Sequence, residues 1–157
     1  MAARLAQTLD APACFGDISL LTEDEVVDLA VSFLEEHGYK IDGTCKNTAR
    51  GDDIAATFVD GSRLFVECKG AISRQGNELD AWLNSAMAVF GAIKESEQLR
   101  PEHRHAIAVP DIESYRKTLG PLNAFFAREK ITLLWVQASG SVSVEGASNH
   151  LLQGRRP

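Results

Sequence analysis

Asp53, Glu67 and Lys69 are the side chains of this sequence whose types and spacing best suit catalysis. They belong to the segment Arg50–Gly70, which reads R-G-D-D-I-A-A-T-F-V-D-G-S-R-L-F-V-E-C-K-G. Because side chains alternate between the two faces of a strand, Glu67 and Lys69 share one face and Cys68 points to the other. The sequence thus places a carboxylate and an ammonium side by side near the end of one strand.

A hairpin is predicted to bring the second carboxylate to this position. The runs Asp53–Val59 and Ser62–Lys69 have strand character, and the Asp60-Gly61 pair between them is a strong turn signal. An antiparallel return at that turn sets Asp53 beside Glu67. Two carboxylates and one ammonium can hold a divalent metal ion and steer a water molecule, which is what phosphodiester hydrolysis needs.

The predicted chemistry assigns a role to each member of this group. Mg²⁺ prefers hard oxygen ligands and keeps several waters, so Asp53 and Glu67 would supply two ligands and a substrate phosphate would supply more. Lys69 would orient the attacking water and offset charge that grows on the phosphate. A lysine beside two bare carboxylates stays protonated, so it can act as a general base only after a metal has bound.

A structural ion pair is the competing interpretation of the same residues. Glu-x-Lys on an exposed strand is usually a solvated salt bridge that contributes little stability. Here the apolar run Leu64–Val66 precedes the motif, which indicates a central strand. Two charges on a central strand are costly unless they serve each other or a ligand. Both interpretations remain open at the level of sequence.

The rest of the chain supplies elements that can hold this hairpin. A capping box at Thr22 predicts a helix that ends near His37, before Gly38. Helical spacing resumes from Asn77, and the later segments alternate between strand and helix. The predicted elements are a strand at Tyr39–Lys46, the hairpin, a helix from Asn77 whose stripe is Leu79, Trp82, Leu83, Ala86, Val89, Phe90 and Ile93, a strand at His105–Val109, helices over Glu113–Lys130 with a break at Gly120-Pro121, and strands at Ile131–Gln137 and Ser141–Glu145.

This order predicts one domain with a mixed sheet and helices on both faces. The domain is expected at residues 21–147, with a loosely ordered arm at 1–20 and a tail at 148–157. Trp82 and Trp135 lie on apolar stripes and are predicted to be in the core.

The motifs also resemble a known family. G-D-D-I, followed after a hairpin by V-E-C-K-G, is similar to the signature of the PD-(D/E)xK, or restriction-endonuclease-like, nuclease superfamily. The preceding helix, ending F-L-E-E-H-G-Y-K-I, resembles that of Holliday-junction resolvases and related bacterial nuclease-like domains. The resemblance implies an α/β fold, a restriction-endonuclease-like three-layer α/β/α sandwich with a mixed central sheet. It also implies a metal-dependent nuclease that acts on DNA with Mg²⁺ or Mn²⁺.

The resemblance carries over to individual positions. Asp53 matches the first metal-binding acid, Glu67 the second, and Lys69 the lysine that orients or activates water. The backbone carbonyl of Cys68 would also bind the metal. Catalytic residues are therefore expected at positions 53, 67 and 69.

Auxiliary and substrate-binding residues are expected around this centre. Many family members carry a further acid on the first helix, where this chain offers Glu25 and Asp28; capping and a solvated face are the alternative for both. Gln75 is a weaker auxiliary candidate. The basic residues expected to meet a phosphate backbone are Lys46, Arg50 and Arg74, although scattered solubilising charge explains them as well.

The composition sets limits on these interpretations. The net charge of −6 and pI of about 5.2 argue against a general nucleic-acid binder but not against an enzyme that touches a few phosphates. Three cysteines without a CxxC pair disfavour structural zinc and a disulfide framework. We expect a cytoplasmic protein that does not bind membranes.

Two further expectations concern function and assembly. The alternative function is a catalytically inactive nuclease-like scaffold that acts as a binding or assembly module, for example in a defence or mobile-element system. A homodimer is a further expectation, because many nucleases of this size cut two strands, and the apolar edge strand near Val142 and Val144 is the candidate contact.

Overall fold

The computed structural model describes residues 20–45, 53–98 and 103–147. Helices and strands follow one another through these ranges in the predicted order. The elements are α1 (Glu23–Glu36), β1 (Lys40–Thr44), β2 (Ile54–Thr57), β3 (Arg63–Cys68), α2 (Ala81–Gln98), β4 (Arg104–Pro110), α3 (Glu113–Leu119), a 3₁₀ turn (Gly120–Leu122), α4 (Asn123–Arg128), β5 (Ile131–Val136) and β6 (Val142–Gly146).

The six strands form one mixed sheet in the order β1-β2-β3-β4-β5-β6. Strands β3, β4 and β5 run parallel to one another, and the other neighbouring pairs are antiparallel. The parallel pairs are the ones connected through helices, as a parallel connection requires. The predicted mixed sheet is confirmed.

Helix α1 begins and ends where the sequence predicts. The side chain of Thr22 accepts a hydrogen bond from the backbone N–H of Glu25, and the Glu25 carboxylate accepts one from the N–H of Thr22. This reciprocal pair satisfies two backbone donors that the first turn leaves free. The helix ends at Glu36 with His37 as its C-cap, and Gly38 takes a φ of 84°, which a glycine adopts without steric strain.

Two apolar cores lie on opposite faces of the sheet. Alternate residues of β3, such as Leu64 and Val66, pack with α1, while Ile107 and Val109 of β4 pack with α2, α3 and α4. This alternation follows from the two-residue period of a strand. Helices therefore cover both faces of the sheet; of the helices in the described ranges, α1 lies on one face and α2, α3 and α4 lie on the opposite face.

Helix α2 departs from the sequence-based prediction. It begins at Ala81 rather than Asn77, because the Asp80 side chain accepts the backbone N–H of Leu83 and caps the helix there. Its sheet-facing side consists of small residues, so the large apolar side chains point outward. Trp82 is 69% exposed, and its predicted place in the core is wrong; Trp135 is fully buried, as predicted.

The helical segment between β4 and β5 is interrupted at Gly120-Pro121, as the sequence predicts. Gly120-Pro121 forms the 3₁₀ turn that separates α3 from α4. No helix in the described ranges is both long enough and apolar enough to cross a membrane. Nearly all of the predicted arm, the whole predicted tail, and the residues Lys46 and Arg50 lie outside the described residues.

Candidate active site

The β2–β3 hairpin sets the geometry of the candidate site. Ile54 pairs with Val66 in an antiparallel register, so the next position places Asp53 opposite Glu67. Opposed residues in an antiparallel pair point to the same face. The turn closes with Gly61 at a φ of 83°, a conformation that favours glycine. The hairpin thus brings together the two carboxylates that the sequence singles out.

The Asp53 carboxylate is half-buried and held by the backbone of the neighbouring strand. Its Oδ2 accepts a hydrogen bond from the N–H of Cys68 at 2.6 Å. Burial raises the pKa of Asp53 to about 6; the Cys68 hydrogen bond opposes that shift, and the negative charge of Glu67 adds to it. A cation close to Asp53 would therefore stabilise the ionised form of its carboxyl group.

Lys69 is the cation that the described residues place in this site. Its Nζ lies 2.6 Å from Oε1 of Glu67 and donates to the Cys68 carbonyl oxygen at 2.9 Å. Burial by itself would lower the pKa of Lys69, but the hydrogen bond and charge of Glu67 outweigh it, and the pKa is raised. Lys69 is therefore a charged donor, not a free base.

The first helix contributes an acid that the sequence analysis did not select. Oε2 of Glu23 lies 3.7 Å from Nζ of Lys69, at the first residue of α1. Glu25 instead closes the capping box and is exposed, while Asp28 is exposed and about 140° around the helix from Glu23. The structure does not bring Glu25 or Asp28 to Lys69.

Gly70 is the residue that allows α1 to approach the motif. A Cβ at this position would lie 2.4 Å from the backbone N of Glu23 and 2.7 Å from the carbonyl carbon of Thr22. The next residue, Ala71, donates its N–H to the carbonyl of Leu21 at 2.7 Å. A glycine directly after the motif signals a close backbone approach at this position, but the sequence does not identify Glu23 as the residue that approaches.

Two side chains from the opposite layer fix the same peptide. The hydroxyl of Tyr115 on α3 donates to the carbonyl oxygen of Gly70 at 2.7 Å, and this bond is buried. Asn84 on α2 donates to the Tyr115 oxygen at 3.3 Å. The Gly70–Ala71 peptide is therefore held at its carbonyl oxygen by α3 and at its N–H by the segment that leads into α1, which limits the movement of the chain just after Lys69.

The remaining predicted residues lie apart from the carboxylate pair. Gln75 is exposed in the turn after the motif. Arg74 is bound to the α1 residue Asp24, with Nη2 2.6 Å from Oδ2. That ion pair flanks a cleft of about 330 Å³ which Glu23 also lines. Arg74 therefore shares a cleft with Glu23 but not with the carboxylate pair, while the other two predicted basic residues are outside the described ranges.

The donor atoms fit a magnesium-like ion better than zinc. Within the described ranges, no three His, Cys, Asp or Glu side chains lie close enough together to form a metal site. What the site offers is two carboxylates and the Cys68 carbonyl, a hard-oxygen set suited to an ion that keeps several waters. Lys69 contacts two of these three groups, Glu67 and the Cys68 carbonyl, so a metal would have to displace its ammonium from them.

Comparison with protein-family models, with curated proteins and with solved structures found no match. The roles of these residues thus depend on the site geometry and on the resemblance of the sequence motifs.

Proposed function

We propose that this protein is a metal-dependent nuclease that hydrolyses DNA phosphodiester bonds by attack of a metal-activated water, on a restriction-endonuclease-like fold. One observation carries the proposal: a hairpin and the first turn of α1 bring Asp53, Glu67, Lys69 and Glu23 together where the parallel strand β3 ends. The ends of parallel strands are where α/β sheets usually bind ligands. The mixed sheet with helices on both faces supports the fold.

The acids of this group would hold the metal. Asp53, Glu67 and the Cys68 carbonyl supply oxygen ligands, and a bound Mg²⁺ or Mn²⁺ would lower the pKa of a coordinated water. The Cys68 N–H fixes the Oδ2 atom of Asp53, and Oδ1 would be the oxygen that binds the metal. The raised pKa of Asp53 reflects a carboxylate whose ionised form is incompletely compensated by the protein itself.

Lys69 would position the water and stabilise charge on the phosphate. Its ammonium is held among acids and stays protonated, so it donates hydrogen bonds rather than accepting a proton. Glu23 would keep the Lys69 ammonium in the site when Glu67 binds a metal, because Oε2 of Glu23 is a second anionic partner 3.7 Å from Nζ. DNA is named as the substrate on the basis of the sequence resemblance.

A non-catalytic scaffold is the second candidate, and one observation favours it. In the structure Lys69 already satisfies Glu67 and the Cys68 carbonyl, as a structural ion pair would. Arg74 is likewise occupied by Asp24. If this network serves only stability, neither metal nor nucleic acid has a place in the site.

Metal titration and cleavage assays on matched variants separate the two candidates. Mg²⁺ and Mn²⁺ are titrated by calorimetry into the wild type and Glu67→Ala, and plasmid, branched DNA and RNA are assayed for cleavage. The control is Glu113→Gln, an exposed acid paired only with Lys117 on α3 among the contacts of the described residues.

The nuclease predicts metal binding and cleavage in the wild type and the control, with both lost in a folded Glu67→Ala protein. If only RNA is cleaved, the protein is still a metal-dependent nuclease, but its substrate is RNA and not DNA. Absence of metal binding and cleavage in all three proteins would exclude the nuclease and leave the scaffold.

A further inference from the structure

Helix α2 has an outward face that is unusual for the surface of a protein. From Ala81 to Ile93 the sequence A-W-L-N-S-A-M-A-V-F-G-A-I contains no charged residue. The small side chains Ser85, Ala88 and Ala92 are buried towards the rest of the fold. A helix that is apolar on all sides is normally covered on all sides, and here the described part of the chain covers only one side.

The large apolar side chains form a continuous stripe on the exposed side. Trp82 is 69% exposed and Phe90 is 71% exposed, values far above those of core residues. The stripe follows the three-four-three spacing of a helix–helix seam, which is typical of coiled-coil packing. Its members are Leu83, Ala86, Phe90 and Ile93, flanked by Trp82 and Met87.

A groove beside the stripe extends this surface onto the next helix. It has a volume of about 490 Å³ and lies between α2 and the end of α3. Phe90 and Val89 line one wall, while Leu119 and the partly exposed Leu122 line the other. The groove is large enough to receive bulky side chains from a facing helix. The surface therefore combines a stripe of projecting side chains with a groove that can bind such side chains.

The exposed area matches what a stable dimer buries. Together the exposed large apolar side chains of α2 and Leu122 present roughly 600–700 Å², close to the ~800 Å² that each partner contributes to a standard interface. Patches of this size on a monomer usually mark a binding site. Because the stripe carries no charge, it suits an apolar partner and offers nothing to a phosphate backbone.

We propose that a second copy of this chain covers the α2 face, in a homodimer in which the two α2 helices pack across a two-fold axis. A two-fold interface places the same patch on both copies and needs that patch to be self-complementary. An uncharged stripe beside its own groove meets this condition. The interface differs from the β6 edge expected from sequence, since Val142 and Val144 pack on the core under α1.

Sedimentation of the full-length protein tests the proposal directly. The wild type is expected to sediment at twice its 17.1 kDa mass and to dissociate on dilution. Phe90→Glu places a charge in the centre of the stripe and should raise the dimer dissociation constant about 30-fold or more. Val59→Glu is the matched control, because Val59 is 83% exposed in the β2–β3 turn and is outside the apolar cluster that packs on α2.

Tryptophan emission adds a readout that does not depend on any variant. Trp82 is exposed and Trp135 is buried, so covering Trp82 should shift the emission to shorter wavelength as concentration rises. A wild type that remains monomeric up to about 100 µM would overturn the proposal. If such a monomer has concentration-independent, blue-shifted emission, another segment of the same chain covers the helix. A dimer that Phe90→Glu leaves intact, in a folded protein, would also overturn it.

Discussion

The backbone N–H of Cys68 donates a hydrogen bond of 2.6 Å to Oδ2 of Asp53, fifteen residues earlier in the chain. This bond continues the β2–β3 hairpin beyond its last paired residues, Ile54 and Val66. It fixes one oxygen of a half-buried carboxylate whose pKa is raised to about 6. The fold therefore tolerates an acid whose ionised form is less favourable than it would be in water, which is typical of sites arranged for a ligand.

Asp53→Asn should stabilise the metal-free protein at neutral pH. The folded-state pKa of about 6 exceeds the reference value of 3.8, so the stability contributed by the neutral acid is complete below pH 3.8 and lost as pH rises through 6. Asparagine does not titrate and can still accept the Cys68 N–H. Urea unfolding with a chelator present should show no difference at low pH and a gain of about 1–2 kcal/mol at pH 7.5, after allowing for solvent screening.

Asp111→Asn provides a control with the opposite sign. A hydrogen bond from Arg116 lowers the pKa of Asp111, and a bond from Gln137 adds to this. The stability it contributes is present above pH 3.8 and is lost as pH falls through the lowered pKa. This variant should therefore be less stable than the wild type at pH 7.5. Equal pH profiles for the two variants would show that Asp53 is not held in a distinctive environment.

Lys69→Met should separate metal binding from catalysis. The ammonium contacts the same Glu67 and Cys68 oxygens that a metal would use, so its removal takes away a competing charge. We expect Mn²⁺ to bind about tenfold more tightly, while DNA cleavage falls about 100-fold or more because the water and phosphate lose their donor. Calorimetry and plasmid cleavage on the same protein preparation measure both effects.

Unchanged or weaker metal binding in folded Lys69→Met would contradict this arrangement. The matched control is Lys117→Met, since Lys117 also pairs with a glutamate but lies on the exposed side of α3. That variant should leave both metal binding and cleavage as in the wild type.

Signals that lie close together in the sequence predicted most of this fold. The capping box at Thr22, the Asp60-Gly61 turn and the break at Pro121 each act over a few residues, so their outcomes follow from local geometry. The position of Asp53 opposite Glu67 follows from the same hairpin. Local sequence signals were therefore sufficient to predict that the two central carboxylates lie together.

Features that depend on tertiary packing were not predicted. Periodicity identified the apolar stripe of α2, but it does not say which side of an uncharged helix meets the sheet, and Trp82 proved to be exposed. The choice of first-helix acid depends on Gly70, whose close contact with Glu23 cannot be seen in either local sequence. Such contacts join segments almost 50 residues apart.

Glu23 and Glu25 should respond differently to substitution. Glu25→Ala removes one half of the capping box and should lower the free energy of unfolding by about 0.5–1 kcal/mol, with little effect on cleavage. Glu23→Gln leaves the cap intact and removes an anion 3.7 Å from Lys69, so cleavage should fall about tenfold while stability changes little. Urea unfolding and plasmid cleavage distinguish the two; equal loss of activity in both variants would assign Glu25 to the site.

Gly70→Ala tests whether the approach of α1 to the motif is required. The added Cβ would meet backbone atoms of Thr22 and Glu23 at 2.7 and 2.4 Å, so α1 or the strand end must shift. We expect a loss of about 1–3 kcal/mol in the free energy of unfolding. Gly91→Ala is the control, because its Cβ meets nothing within 4 Å and alanine favours a helix by about 0.5–1 kcal/mol. The two substitutions add the same atom and should change stability in opposite directions. If Gly70→Ala is as stable as the wild type, the backbone contact is dispensable and the placement of Glu23 beside Lys69 has another cause.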